Sequence, residues 1–260
     1  MSTLLTIIAL GLFLGMRHAT DPDHVVAVTT IVSRERTMLH AAIVGALWGL
    51  GHTVTIFVVG SAMILLKLTI SPTLGLAMEL SVALMLILLG ALNLTGLMNR
   101  GIEWLINRGY LPGIHAHVIS GRMIFHGHDG YRGNGAVFRR LPSWCGKLGL
   151  FHIVRPLAVG VVHGLAGSAA VTLLVLATIT QPGWAIAYLL VFGMGTILGM
   201  MLITAALALP YAYTWKRFAH LNQGLAIASG VISVSFGLLL CYQIVISDGL
   251  LTGHPSWTPR

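Results

Sequence analysis

His18-Ala19-Thr20-Asp21-Pro22-Asp23-His24 sets two imidazoles and two carboxylates within seven residues, between flanks that carry no charge, Leu4–Met16 and Val25–Val32. At membrane depth each ionisable group costs roughly 2.5 to 3.5 kcal/mol, even by insertion scales, unless it is paired, hydrated or bound. Four in one short stretch therefore point to function. Neutral imidazole and carboxylate together suit a borderline divalent metal such as Ni²⁺, Co²⁺ or Zn²⁺. The chemistry on offer is the holding of a transition-metal dication inside a membrane.

On an unbroken helix, at roughly 100° per residue, His18, Asp23 and His24 would point three ways. Pro22 prevents this. It lacks an N–H and clashes with the carbonyl four residues back, so the helix must kink or unwind near His18–Asp21. A broken membrane helix that lines a polar cavity can turn His18, Asp21, Asp23 and His24 towards one point. The alternative, a surface turn between two shorter helices, leaves Arg17 and His18 unexplained.

Other polar residues fall near the middle of apolar stretches: His52 after Gly51, His163 before Gly164, and Thr196. A membrane histidine serves either as a helix–helix hydrogen-bond partner or as a ligand. His52 and His163, at depths matching His18, join the ligand candidates. Arg17 would repel a cation and is expected to pair with Asp21, Asp23 or Glu79. Glu79 reads as an entrance carboxylate or a solvated side chain, and Asn93 as an auxiliary oxygen or interhelical glue.

Composition fixes the setting. The 260 residues are 56% hydrophobic and 8% charged, with mean hydropathy +0.88, against about 25% charged residues in soluble domains. The chain is an integral membrane protein in which 31 glycines suit close helix packing. Cys145 and Cys241 form no C-x-x-C, so neither a disulfide framework nor a thiolate site is supported. No cleavable signal is expected, because Met1–Met16 lacks a basic start.

Six apolar spans can be read, Leu4–Ser33, Ala41–Leu66, Leu74–Met98, Phe151–Ile179, Trp184–Leu209 and Gln223–Ile246. The expected fold is all-α integral membrane, with residues 1–98 and 151–246 as two three-helix repeats. Residues 99–150 form a polar loop and 247–260 a short tail. The loop carries His115, His117, His126 and His128, a weak metal-binding signal. Twelve Lys and Arg residues fall on the side of that loop, against Lys67 and Arg260 on the other. The positive-inside rule then places the loop in the cytoplasm and both termini outside a cytoplasmic membrane. The net charge of +8 thus reads as topology, not nucleic-acid binding.

The halves echo each other. Leu14-Gly15-Met16-Arg17-His18 matches Val159-Gly160-Val161-Val162-His163 at an offset of 145, and Trp48-Gly49-Leu50-Gly51 matches Phe192-Gly193-Met194-Gly195 at 144. Leu89-Gly90-Ala91-Leu92 loosely echoes Phe236-Gly237-Leu238-Leu239. Three spans per half is odd, so the second copy must be inverted, an arrangement found in secondary transporters with midplane sites.

Arg17-His18-Ala19-Thr20-Asp21-Pro22-Asp23-His24-Val25 resembles the R-H-A-x-D-A-D-H-I signature of the nickel/cobalt transporter family, and its H-x4-D-H core is complete. Leu50-Gly51-His52-Thr53-Val54 is similar to that family's L-G-H-S-T-V. The resemblance implies that His18, Asp23 and His24 recognise Ni²⁺ or Co²⁺ as transported substrate, with no cofactor. It also implies partners such as a metallochaperone or urease and hydrogenase maturation proteins. The departures matter too. Typical members have eight spans, and their acidic G-F-D-T-A-T-E signature corresponds here to Val162-His163-Gly164-Leu165-Ala166-Gly167-Ser168-Ala169. This fits a short divergent branch, similar to urease-accessory membrane transporters.

The leading expectation is a secondary transporter for a divalent transition metal, binding through His18, Asp21, Asp23, His24, His52 and His163. Binding should be pH-sensitive, since protonated imidazole cannot ligate. There is no Walker motif. The alternatives are a carrier of a non-metal solute, a membrane metalloenzyme, which lacks its H-E-x-x-H and clustered histidines, and a thiol-redox carrier, which lacks paired cysteines.

Overall fold

Pro22 divides the first apolar segment. In the computed structural model α1 runs Ser2–His18 and α2 Pro22–Val32. The turn between them is closed by the amides of Thr20 and Asp21, which donate to the carbonyls of Arg17 and His18 at 2.8 and 3.1 Å. Pro22 opens α2 where its missing N–H removes no helical bond. Asp21 occupies the N-cap position without a side-chain capping bond.

There follow α3 (Met38–Leu66), α4 (Pro72–Thr95), strands β1 (Ile114–Ile119) and β2 (Arg122–Gly127), then α5 (Leu150–Thr178), α6 (Pro182–Arg217) and α7 (Ala219–Tyr242). A π turn, Gln243–Ser247, ends α7. The structure describes residues 2–33, 37–67, 70–95, 114–119, 122–127, 150–179, 181–217, 219–251 and 255–257.

Four helical stretches are long and apolar enough to cross a bilayer, namely Met38–Leu66, Pro72–Thr95, Pro182–Tyr211 and Gly224–Ser247. Even the shortest exceeds the ~20 residues that cross about 30 Å of hydrocarbon. Shorter apolar helices, Ile8–His18, Pro22–Val32 and Ile153–Gly167, accompany them. Phe13, Leu65, Val58 and Leu239 point outwards and are more than half exposed, as a lipid-facing surface requires. This is a multi-pass membrane protein.

Small residues let the helices touch backbone to backbone. A Cβ on Gly15 would strike the Phe192 carbonyl and crowd the Thr196 amide, while one on Gly160 would strike the Trp48 carbonyl and crowd the His52 amide. Gly195 meets Leu12 and Gly51 meets Leu157 in the same way. Polar bonds tie α4 to α7. Asn93 Nδ2 donates to Ala226 O at 2.9 Å and to Ser229 Oγ at 3.2 Å, and Ser233 Oγ donates to Leu86 O at 2.8 Å. Asn93 is therefore interhelical glue. The main core gathers Ala27, Val28, Trp48, Leu86 and Met200 between α2, α3, α4 and α6.

Two features depart from the sequence reading. Helix α6 continues past Pro210 to Arg217, well beyond the expected end at Leu209. The polar loop contains an antiparallel hairpin, whose register sets His115 opposite His126. His128, Cys145 and most of the basic residues used for orientation lie outside the described residues.

Candidate metal centre

The break at Pro22 brings the ends of α1 and α2 to the middles of α3 and α5. His18 Nε2 lies 3.1 Å from His52 Nε2. His163 Nε2 lies 3.0 Å from Asp23 Oδ2. His24 sits between these pairs, its ring centroid 4.8 Å from that of His18, 5.1 Å from His52 and 4.5 Å from His163. Potential donor atoms of His18, His24 and His52 all lie within 4.8 Å of one another, as do those of Asp23, His24 and His163. Two ligand triads thus share His24.

The geometry suits an ion. Two nitrogens each about 2.0–2.1 Å from a tetrahedral metal stand about 3.3 Å apart, close to the spacing of His18 and His52. His24, His52 and His163 are 2%, 0% and 1% exposed. Both ring nitrogens of His24 and the Nδ1 atoms of His52 and His163 have no hydrogen-bond partner. His24 Nδ1 is 3.3 Å from Asp23 Oδ1, near enough for attraction but not aligned as a hydrogen bond. Each buried unsatisfied group costs about 1–3 kcal/mol. Buried polar groups without partners are few in folded proteins, and those of His24, which lies between the two pairs, mark a candidate ligand site.

Asp21 stands behind this cluster. Its Oδ2 lies 2.7 Å from His18 Nδ1 and accepts from it, which turns Nε2 towards His52. A carboxylate behind a histidine in this way fixes tautomer and ring orientation and raises basicity. Trp48 packs on the other side, stacked on His24 at 5.6 Å and edge-on to His163 at 5.4 Å. Gly167 leaves the centre open, since a Cβ there would lie 3.3 Å from His18 Nε2 and 3.4 Å from His52 Cε1. A cavity of about 470 Å³ is lined by His18, Asp21, Asp23, His24 and His163 together with Glu79 and Gln243.

The chain is 32% identical over 247 residues to the urease accessory protein UreH of Bacillus sp. (strain TB-90), a match covering 95% of each chain. It belongs to the UreH family. No family model and no solved structure matches the chain.

Within this UreH-family fold five of the six sequence-derived candidates, His18, Asp23, His24, His52 and His163, converge, and the sixth, Asp21, touches His18 instead. Arg17 is exposed and makes no ion pair among the described residues, contrary to the expected pairing with Asp21, Asp23 or Glu79. Thr196 is fully buried, and its hydroxyl donates to Phe192 O within its own helix at 3.0 Å. Trp48 and Gly167 were not singled out by sequence. Trp48 carried a usable signal, since it lies four residues before His52 and so on the same helix face.

Proposed function

We propose that this protein is a secondary transporter that carries a divalent transition-metal cation, Ni²⁺ or Co²⁺, across the cytoplasmic membrane. The observation that carries this reading is the pair of ligand triads joined at His24. An ion held by His18, His24 and His52 can pass to Asp23, His24 and His163 without losing every protein ligand at once. Neutral imidazoles supply borderline donors that favour Ni²⁺ and Co²⁺ over Mg²⁺, and Asp23 offsets part of the dication's desolvation. The relative named as a urease accessory protein favours nickel, with urease maturation proteins receiving it on the cytoplasmic side.

Two inverted repeats, residues 1–98 and 151–246, account for the helix packing. The approach of Gly15 to Phe192 and Thr196 is repeated by Gly160 against Trp48 and His52, at the sequence offsets of 145 and 144 that relate the halves. The basic residues support a cytoplasmic loop at 99–150 and both termini outside. In this orientation Glu79, in the second turn of α4, lies on the outer side of that helix.

The test is accumulation of radiolabelled Ni²⁺ and Co²⁺ by cells with and without the protein. Protein-dependent uptake that His24→Ala removes supports the reading. Equal accumulation in both cell lines overturns it.

A further inference from the structure

The cavity is lined by two kinds of donor. His24 is 2% exposed and without a hydrogen bond at either ring nitrogen. Glu79 and Gln243 line it too, oxygen-bearing side chains in the second turn of α4 and at the start of the π turn, and Glu79 is only partly buried. π turns inside or at the ends of helices recur at functional sites.

Glu79 is held in place by a residue from the far end of the chain. Trp257 Nε1 donates to Glu79 Oε1 at 2.9 Å. The indole lies flat on Gly75, so closely that a Cβ there would come within 2.5 Å of its Cδ2. Trp257 also packs on the small cluster of Leu76, Ala83 and Ile244, and the neighbouring Ser256 amide donates to Asp248 O at 3.0 Å. Gly75 and Glu79 are one helical turn apart, so one face of α4 seats the ring and orients the carboxylate. A carboxylate retains acceptor capacity after accepting one N–H.

We infer that Glu79 is the oxygen ligand of the cavity that first receives the hydrated dication, and that Trp257 is the positioning residue that aims it. The inference rests on the transport reading. A dication arrives with a full water shell, and an anionic oxygen exchanges for water at little cost in selectivity. The imidazoles deeper in the cavity then replace the remaining waters and supply discrimination. Gln243, which also lines the cavity, carries a neutral amide oxygen. Capture at Glu79 governs how much metal is needed, whereas the histidines govern whether it crosses.

The experiment is Ni²⁺ uptake by the full-length protein in liposomes, with Mg²⁺ as competitor. Glu79→Gln is expected to raise KM for Ni²⁺ about 10-fold with an unchanged maximal rate. It should also remove the inhibition by millimolar Mg²⁺, a cation that seeks oxygen ligands. Glu79→Asp should retain both properties. Trp257→Phe should raise KM less, and should add nothing to Glu79→Gln in the double variant. Unchanged KM and Mg²⁺ inhibition in Glu79→Gln, with uptake abolished by His24→Ala, would overturn the role of Glu79 while leaving the transport reading intact. Additive KM effects in the double variant would overturn the role of Trp257. Normal uptake by His24→Ala would instead bring down the transport reading, and this inference with it.

Discussion

The imidazoles of His18 and His52 face each other through Nε2 atoms 3.1 Å apart, although they lie on different helices, 34 positions apart in sequence. The carboxylate of Asp21 on His18 Nδ1 holds the ring so that Nε2 is the nitrogen that faces His52. The spacing is close to that of two nitrogens bound to one tetrahedral metal, about 3.3 Å.

Replacement of either member should therefore cost transport and not folding. His18→Ala and His52→Ala are each expected to lower Ni²⁺ uptake at limiting metal at least ~10-fold, with normal amounts of protein in the membrane. Removing a polar group from a membrane helix eases insertion if it has any effect. Uptake and membrane abundance measured on the same cells check this.

Asp21 acts through His18, so its variants should be graded. Asp21→Ala is expected to raise KM for Ni²⁺ by about 10- to 100-fold, as for other groups that orient metal ligands. Asp21→Asn keeps an oxygen that can accept from Nδ1 and should lie between Asp21→Ala and wild type. Equal effects of the two variants would mean that the charge of Asp21, not its orientation of His18, matters.

Two glycines separate the site from the scaffold. In Gly167→Ala the new methyl would sit 3.3 Å from His18 Nε2, and weaker Ni²⁺ binding by a normally inserted protein is expected. In Gly160→Ala the methyl would collide with the Trp48 carbonyl, a backbone group that cannot swing aside. Lower membrane abundance and a lower Tm in detergent should follow.

Much of this centre was legible in the sequence. Pro22 announces the break in the helix, and the four ionisable groups around it, in a chain with so few charges, single out the residues that meet there. The repeat offset nominated His163 as the counterpart of His18. Trp48 and Gly167 were harder to find, since apolar and small residues abound in membrane helices and only tertiary packing shows which of them adjoin the histidine cluster. Arg17 was misread for a related reason. Its depth followed from the sequence, but the face of α1 it occupies follows from how the helix packs. The bond between Trp257 and Glu79 joins residues 178 positions apart, and no periodicity links them. The hairpin at Ile114–Gly127 was hidden by the Gly-rich, polar composition of its surroundings.

The histidines of the hairpin loop lie outside both triads. Deletion of much of Ile114–Arg132 should leave Ni²⁺ uptake largely intact, with at most a rise in KM. Complete loss of uptake by a normally inserted deletion variant would move essential ligands into the loop.

Asp23 provides the sharpest test of the metal centre. Its carboxylate contacts His163 at 3.0 Å and approaches His24 at 3.3 Å, while the N-cap of α2 is Asp21. Asp23→Asn keeps the size and a hydrogen-bonding oxygen but removes the negative charge that offsets desolvation of the dication. The measurement is radiolabelled Ni²⁺ flux through Asp23→Asn beside Asp23→Ala, at matched amounts of inserted protein. If Asp23 holds the metal, both variants fall to background. Near-normal flux through Asp23→Asn would contradict the ligand role, and with it the centre in which His24 joins two triads.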